Sequence, residues 1–255
     1  ETMERLNNIF SGKATRNAAG VNTGIQFVLA QYNPAGELMD EPGINRVTVE
    51  EVTEGTPPDK YHRFLSQNNA IWPHEKYLNI WLMSETKYPK FWNSITKLCV
   101  PKYRLGSETL PGLSLPPVPS TWVPKVEQIG ILFRMSTFQY FQRSIDATAE
   151  RELVTCIGNY LGLLDTWKIN NSNVNDQCND TFAYGIVNNN GSLGTNSSWS
   201  KEVGSYRFLS ENIMDDPTGT HRSVSKDQAL RMYWVLKNCA GRSMWQSDFA
   251  LTGKE

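Results

Sequence analysis

Residues 155–167 read Thr-Cys-Ile-Gly-Asn-Tyr-Leu-Gly-Leu-Leu-Asp-Thr-Trp. Through and ahead of this stretch Ile145, Ala149, Leu153, Cys156, Tyr160 and Leu163 recur at steps of three and four, the spacing that gives a helix one apolar face. The pattern predicts a helix over 146–164. Gly162 terminates it, because glycine tolerates the positive φ of the position just past a helix end. Thr155 and Asn159 stand one turn apart and share a face, whereas Cys156 points about 100° away from it. Asp165 follows beyond the glycine turn.

The elongated zinc-protease motif H-E-x-x-H-x-x-G-x-x-H has this frame. In it two His one turn apart and a third beyond a Gly turn bind the metal, and the Glu is general base. Here those four positions hold Thr155, Cys156, Asn159 and Asp165, with Gly162 at the turn. Further on, Ser-Glu-Asn-Ile-Met-Asp-Asp (210–216) resembles the Met-turn beneath the zinc site of metzincins, with Met214 as its methionine. Between the two, Asp-Gln-Cys-Asn-Asp-Thr (176–181) is similar to the D-x-C-x-D-T stretch of pappalysin-like metzincins. Upstream, 24–30 followed by Gly43-Ile-Asn-Arg46 resembles the opening strand and GI-R turn of the same family, and 76–81 its next core strand. Over residues 20–240 the chain therefore resembles a pappalysin-like metzincin, close to the zinc-dependent metalloproteinase lipoproteins of Bacteroidetes.

That resemblance implies an α+β fold: a metzincin-like metalloprotease catalytic domain with a mixed twisted sheet, an active-site helix, a Met-turn and a C-terminal helix. It also implies one domain over 1–255, with a lipoprotein signal and a pro-segment lying outside this sequence. The family's activity is zinc metalloendopeptidase, yet every chemistry-bearing position departs from its pattern. Thr155, Asn159 and Asp165 replace the three His, Cys156 replaces the Glu, and Asp216 stands where the Met-turn carries a Tyr. Residues with a packing or turning task are kept: Gly158, Leu161, Gly162, Leu163, Trp167, Asn212 and Met214. Losses sorted in this way point to a catalytically inactive homologue, a pseudoprotease that binds a peptide, protein or glycan through the inherited cleft. By resemblance it is exported, as a cell-surface or periplasmic lipoprotein that meets the membrane only through a lipid anchor. Two alternatives stand beside it: a hydrolase whose metal site is rearranged around Asp165 with Cys156, Asp215 or Asp216, and a structural surface lipoprotein domain.

Elementary coordination chemistry points the same way. A catalytic zinc needs three nitrogen, sulfur or carboxylate ligands and an open position. A Thr hydroxyl and an Asn amide are neutral, and Asp165 alone does not make a site. The three His, at 62, 74 and 221, show no i,i+4 pairing that would refill it, so zinc is expected to be absent. Calcium is a second candidate metal: Asp176 and Asp180 lie on an Asn/Asp-rich loop able to supply carboxylates, against the competing reading that they close Asx-turns. Four cysteines, 99, 156, 178 and 239, leave three full pairings or reduced thiols open. Of the eight Trp, positions 72, 81, 92, 167 and 234 suit a core, whereas Trp122, Trp199 and Trp245 lie in polar or loop surroundings where an aromatic can bind a ligand.

With 25 basic and 26 acidic residues the net charge is −1, which gives no nucleic-acid footprint and no basic stripe for a membrane surface. No apolar run approaches the roughly 20 residues of a membrane-spanning helix. Residues 25–31, 77–83 and 129–133 read as strands, 59–70 and 88–99 as helical or irregular. Five prolines make 110–124 a loop, and the Asn/Ser/Gly-rich 168–206 reads as a long, weakly structured excursion. A second helix is expected over 225–238, opened by a capping box of Ser225 and Gln228, with an apolar face of Leu230, Tyr233, Trp234 and Leu236. The two helices are expected to pack below the cleft with the Met-turn between them.

Overall fold

In the computed structural model of the chain, the described residues are 1–47, 65–66, 69–83, 97–100, 129–134, 148–169, 174–186, 200–203, 206–216, 219–238 and 242–247. The proline-rich loop, Trp92, Trp122, Trp199, His62, Cys239 and the expected start of the long helix lie outside them.

The central element is helix α2, Thr148–Tyr160. Leu153, Val154, Cys156, Ile157, Tyr160 and Leu161 are all buried in one apolar cluster. A helix buried on nearly every side must be covered by several elements. One cover is α1, Thr2–Phe10, whose Leu6, Ile9 and Phe10 enter the same cluster. The step from Met3 to Leu6 to Ile9 and Phe10 is the spacing that gives this helix its apolar face. The other cover is a mixed three-stranded sheet in the order β1, β3, β2: β1 (Ile80–Met83) runs parallel to β3 (Gly130–Arg134), and β2 (Lys97–Val100) antiparallel to it. In and just ahead of β3, Ile129, Ile131 and Leu132 are buried, and Ile129 and Ile131 join the cluster of α2. Each fully buried aliphatic of this kind contributes roughly 1.5–3 kcal/mol.

Three expectations are corrected. Residues 25–31 are not a paired strand. They run extended, with Ile25 and Phe27 turned toward the core and Val28 and Leu29 exposed. At Phe27 the backbone is satisfied by the Asn7 side chain, which accepts from the Phe27 N–H at 2.8 Å and donates to its C=O at 2.9 Å, and at Ala30 and Gln31 the carbonyls accept from the Gly43 and Met39 N–H groups. The stretch 88–99 ends in β2, and 168–206 carries short strands: β4 (Trp167–Ile169) parallel to β5 (Tyr184–Ile186), and β6 (Ser200–Val203) antiparallel to β7 (Tyr206–Leu209). Polar composition hid them, because strands of three or four residues leave little periodicity to read.

Helix α2 ends at Tyr160, four residues before the expected position. Its last turn closes as a Schellman motif: the Leu163 N–H donates to the Gly158 C=O at 2.9 Å, the Gly162 N–H to the Asn159 C=O at 3.0 Å, and Gly162 has φ +85°. Two arginines then cover the end. Arg242 Nε donates to the Tyr160 C=O at 3.2 Å and Arg231 Nε to the Gly162 C=O at 2.7 Å, placing positive charge where the helix dipole is negative.

The last long helix is α3, Lys226–Asn238. Its buried face is Ala229, Met232 and Val235, and Leu230 and Tyr233 are exposed. Two stripes of apolar side chains run along this helix, and the bulkier one is the outer one. Ala229 and Met232 enter the same cluster as α2, and Val235 lies against Gly162 at the turn that ends α2. The capping box is present, since Ser225 Oγ accepts from the Gln228 N–H at 3.3 Å and Gln228 Oε1 from the Ser225 N–H at 3.1 Å. Ser225→Ala is expected to lower stability by about 1–2 kcal/mol, as a shift in the urea midpoint with an unchanged slope.

Candidate functional site

Met214 is fully buried and lies against Gly158 in the last turn of α2. A side chain on Gly158 would place its Cβ 2.5 Å from the Met214 Sδ, so only glycine lets the turn at 210–216 approach this closely. The contact is tied by hydrogen bonds. The Thr155 hydroxyl donates to the Ile213 C=O at 2.8 Å, and the Thr166 N–H and hydroxyl donate to the Met214 C=O at 3.0 and 3.2 Å. From the other side the Met214 N–H donates to Asn212 Oδ1 at 2.9 Å, while the amides of Asn212 and Gln228 exchange two bonds of 2.8 and 2.9 Å. Glu211 completes the seat by accepting from the Thr15 hydroxyl at 2.7 Å and the Arg16 N–H at 3.0 Å. Side chains from α2, α3 and the N-terminal segment thus fix one turn.

Thr155, Asn159 and Asp165 come together here. Asn159 Nδ2 donates to the Thr155 C=O at 3.0 Å and to Asp165 Oδ1 at 3.4 Å. Both neighbours are acceptors, so the amide orientation is fixed. Asn159 Oδ1 is buried and meets no donor, a situation that costs about 1–3 kcal/mol. Asn159 is nine-tenths buried, Thr155 and Asp165 half-buried. Cys156, by contrast, is packed in the core cluster.

This donor set does not fit zinc. The Thr155 proton is committed to a backbone carbonyl and the Asn159 amide is neutral, which leaves one carboxylate where three ligands are needed. Among the described residues no three His, Cys, Asp or Glu side chains gather as metal ligands.

Asp215 and Asp216 belong to a second, buried cluster. The Tyr184 hydroxyl is bonded to the Asp215 carboxylate and lies 2.6 Å from Asp216 Oδ2; the Asp216 N–H donates to Asp215 Oδ1 at 2.8 Å. His221 Nε2 lies 2.9 Å from the Asp215 C=O and so carries the proton on that nitrogen. Burial, and then the charge of Asp215, pushes the Tyr184 phenol far above its ordinary range. Tyr184 and His221 escaped the sequence reading because a lone Tyr and a lone His carry no spacing signal. Arg231 and Arg242, both buried, escaped it too.

The calcium candidates have other occupations. Asp180 accepts from the Ser225 hydroxyl at 2.7 Å and the Asp227 N–H at 2.9 Å, at the start of α3. Asp176 accepts from the Thr181 hydroxyl at 2.5 Å and the Cys178 N–H at 3.4 Å. Burial raises its pKa above the ordinary carboxylate value, and Thr181 partly offsets this. Both are loop-locking and helix-capping acids in this arrangement. Burial pushes the neighbouring Cys178 thiol up to about 12, and neither Cys156 nor Cys178 forms a disulfide. Of the Trp candidates only Trp245 is described: it is 52% exposed, its indole N–H donating to the Leu236 C=O at 2.8 Å.

No protein-family model and no curated protein matches the chain. Solved structures do. Mature mirolysin of Tannerella forsythia, in complex with a cleaved peptide, superposes with a TM-score of 0.63 at 19% identity, covering 98% of this chain and 89% of that one. Promirolysin of the same organism gives 0.61 at 20% identity over 95% of this chain and 75% of that one. Mirolysin bound to a compound gives 0.64 at 19%, covering 98% and 90%. The fold is metzincin-like. At this identity the likeness speaks for architecture, and the chemistry has to be taken from the side chains.

Thr155→Val keeps shape and removes the proton that Ile213 accepts. It is expected to cost about 1–3 kcal/mol for a carbonyl left unmet, against a near-wild-type midpoint for Thr155→Ser, both by thermal unfolding.

Proposed function

We propose that this chain is a pappalysin-like pseudoprotease: a metzincin-like domain that has given up zinc-dependent hydrolysis and keeps the cleft to hold a peptide or protein segment. The observation that carries it is the state of the metal positions. Thr155 and Asn159 are committed to hydrogen bonds with Ile213 and with Thr155 and Asp165, and so act as struts between helix and turn. A peptide is favoured over a glycan because a mirolysin of this fold holds a cleaved peptide. Export as a surface or periplasmic lipoprotein, anchored by lipid, belongs to the same reading, as does a cleft that works without calcium. A metal rearranged around Asp165 is disfavoured, because Cys156 faces the core and Asp215 and Asp216 are held by Tyr184.

Two measurements test this. Purified protein is expected to contain far less than one zinc per chain and to leave peptide substrates intact, with no effect of chelator on its melting temperature. Stoichiometric zinc lost in Asp165→Ala would sink the proposal. The second restores the ligands. Thr155→His with Asn159→His and Asp165→His is expected to bind zinc orders of magnitude more tightly than the parent in calorimetric titration, since the helix and the Gly162 turn still set the three positions. Cys156 is left alone, because a Glu in its place would put a charge into the core. Binding no tighter than the parent's would mean that the three positions do not converge.

A further inference from the structure

Five of the nine large apolar side chains that lie exposed among the described residues fall between 28 and 47: Val28, Leu29, Leu38, Ile44 and Val47. Apolar surface gathered in one place, unlike the same residues scattered singly, marks a site of interaction. Two of the five, Leu38 at 70% and Ile44 at 48% exposure, line an open groove of about 740 Å³ between the loop 33–46 and residues 69–73, with Ile71 and Trp72 on the opposite wall. Each wall is held by its own bonds. On one side the Met39 and Gly43 N–H groups donate to the Gln31 and Ala30 C=O at 2.9 and 2.7 Å. On the other, the Asn79 amide accepts from the Trp72 N–H at 3.1 Å and donates to its C=O at 2.8 Å, and the Trp72 ring meets Tyr77 edge-on at 4.8 Å between centroids. The Tyr77 hydroxyl joins the two walls by donating to the Tyr32 C=O at 2.9 Å. The groove is thus formed before anything enters it, and an occupant does not have to order it.

The charges of the groove do not balance. Glu41 is engaged by Arg46, whose Nε and Nη2 donate to its two carboxylate oxygens at 2.5 and 2.9 Å. Glu37 accepts from a neutral partner, the Asn33 amide, at 2.8 Å, and Asp40 is exposed and makes no side-chain bond among the described residues. Arg46 is the one cation among the described residues that line the groove, so Glu37 and Asp40 leave two negative charges unmatched beside apolar walls.

We propose that this groove docks an extended segment of a partner protein in which a basic side chain stands between aliphatic ones. The proposal goes beyond the reading of the cleft and does not rest on it, since the groove shares no residue with α2 or with the turn at 210–216. Aliphatic side chains would cover Leu38 and Ile44, and the basic one would meet Asp40 and Glu37. An acidic or phosphorylated segment would meet two like charges. A calcium ion would find one uncommitted carboxylate, that of Asp40, where six or more oxygens are wanted.

The test uses the full chain and a capped peptide, Ser-Leu-Arg-Leu-Ser, titrated while the indole N–H signal of Trp72 is followed by NMR. Trp72→Phe assigns that signal. The same peptide with citrulline for arginine keeps the shape and loses the charge. The arginine peptide is expected to shift the Trp72 signal saturably, with an affinity that falls as salt is added. Citrulline in the peptide and Asp40→Asn in the protein should each weaken binding about threefold or more, the scale of a surface ion pair. Leu38→Ser should weaken it about fivefold or more, for the loss of one apolar contact. Both substitutions are at exposed positions, so melting temperatures are expected to stay near the parent's, which separates lost docking from lost fold. An unmoved Trp72 signal overturns the proposal, as do arginine and citrulline peptides that bind alike and ignore Asp40→Asn. Equal affinity for N-acetylarginine amide alone would make this a site for a small cation and overturn the segment. A dimer in sedimentation that Leu38→Ser abolishes would seat a second copy in the groove and overturn it too.

Discussion

Met214 packs where Gly158 has no side chain, and everything around the site depends on that approach. With 2.5 Å between the Met214 Sδ and an added Cβ, any larger residue at 158 would force the buried Met214 side chain to move. The turn carries Ile213 and Met214, whose carbonyls receive Thr155 and Thr166. Thr166 also receives the next strand pair, because its C=O accepts from the Tyr184 N–H at 2.8 Å. Tyr184 then reaches back to Asp215 and Asp216 on the same turn. The path runs helix, turn, strand and turn again, closing on itself through polar groups that are buried. Such a closed network is favourable when its members are satisfied and costly when one is lost.

A metal ligated from a helix and from beyond its terminal turn would cross-link the two. Here hydrogen bonds link the same places: Asn159 reaches Asp165 across the Gly162 turn, and Thr155 reaches the neighbouring chain at Ile213. Each is worth about 1 kcal/mol net, far below the apparent 10–16 kcal/mol of a structural zinc site. Further bonds hold the same elements. Arg231 and Arg242 hold the carbonyl end of α2, the Asn212–Gln228 amide pair holds the turn to α3, and Glu211 holds it to the N-terminal segment.

How much of this was legible depended on the type of signal. Helix α2, its Gly162 stop, the strand at 129–133 and the Ser225 capping box rest on spacings within one element, and sequence carries such spacings. The place of Met214 was suggested by the order of motifs. What could not be read is what depends on tertiary contact. The buried face of α3 was misassigned because Leu230 and Tyr233 look as apolar as Met232 and Val235, and only the position of the core decides between them. Residues 25–31 have strand composition but bond to Asn7 instead of a strand. Tyr184 was invisible because the acids that it bonds lie some thirty residues away in sequence.

The buried acids behind the turn add a constraint of their own. A phenol has one proton to donate, yet Tyr184 Oη is bonded to Asp215 and lies within bonding distance of Asp216. Two carboxylates therefore face one phenol oxygen at the back of the turn. Burial, and then the charge of Asp215, raises the phenol of Tyr184, because ionising it would put a negative charge beside an acid in a site shut off from water. Asp216 stands where the resembled family keeps a Tyr, and in this chain a phenol reaches that acid from strand β5. The hydroxyl and the carboxylate therefore meet with the acid on the turn and the phenol on the neighbouring sheet, which ties β5 to the turn.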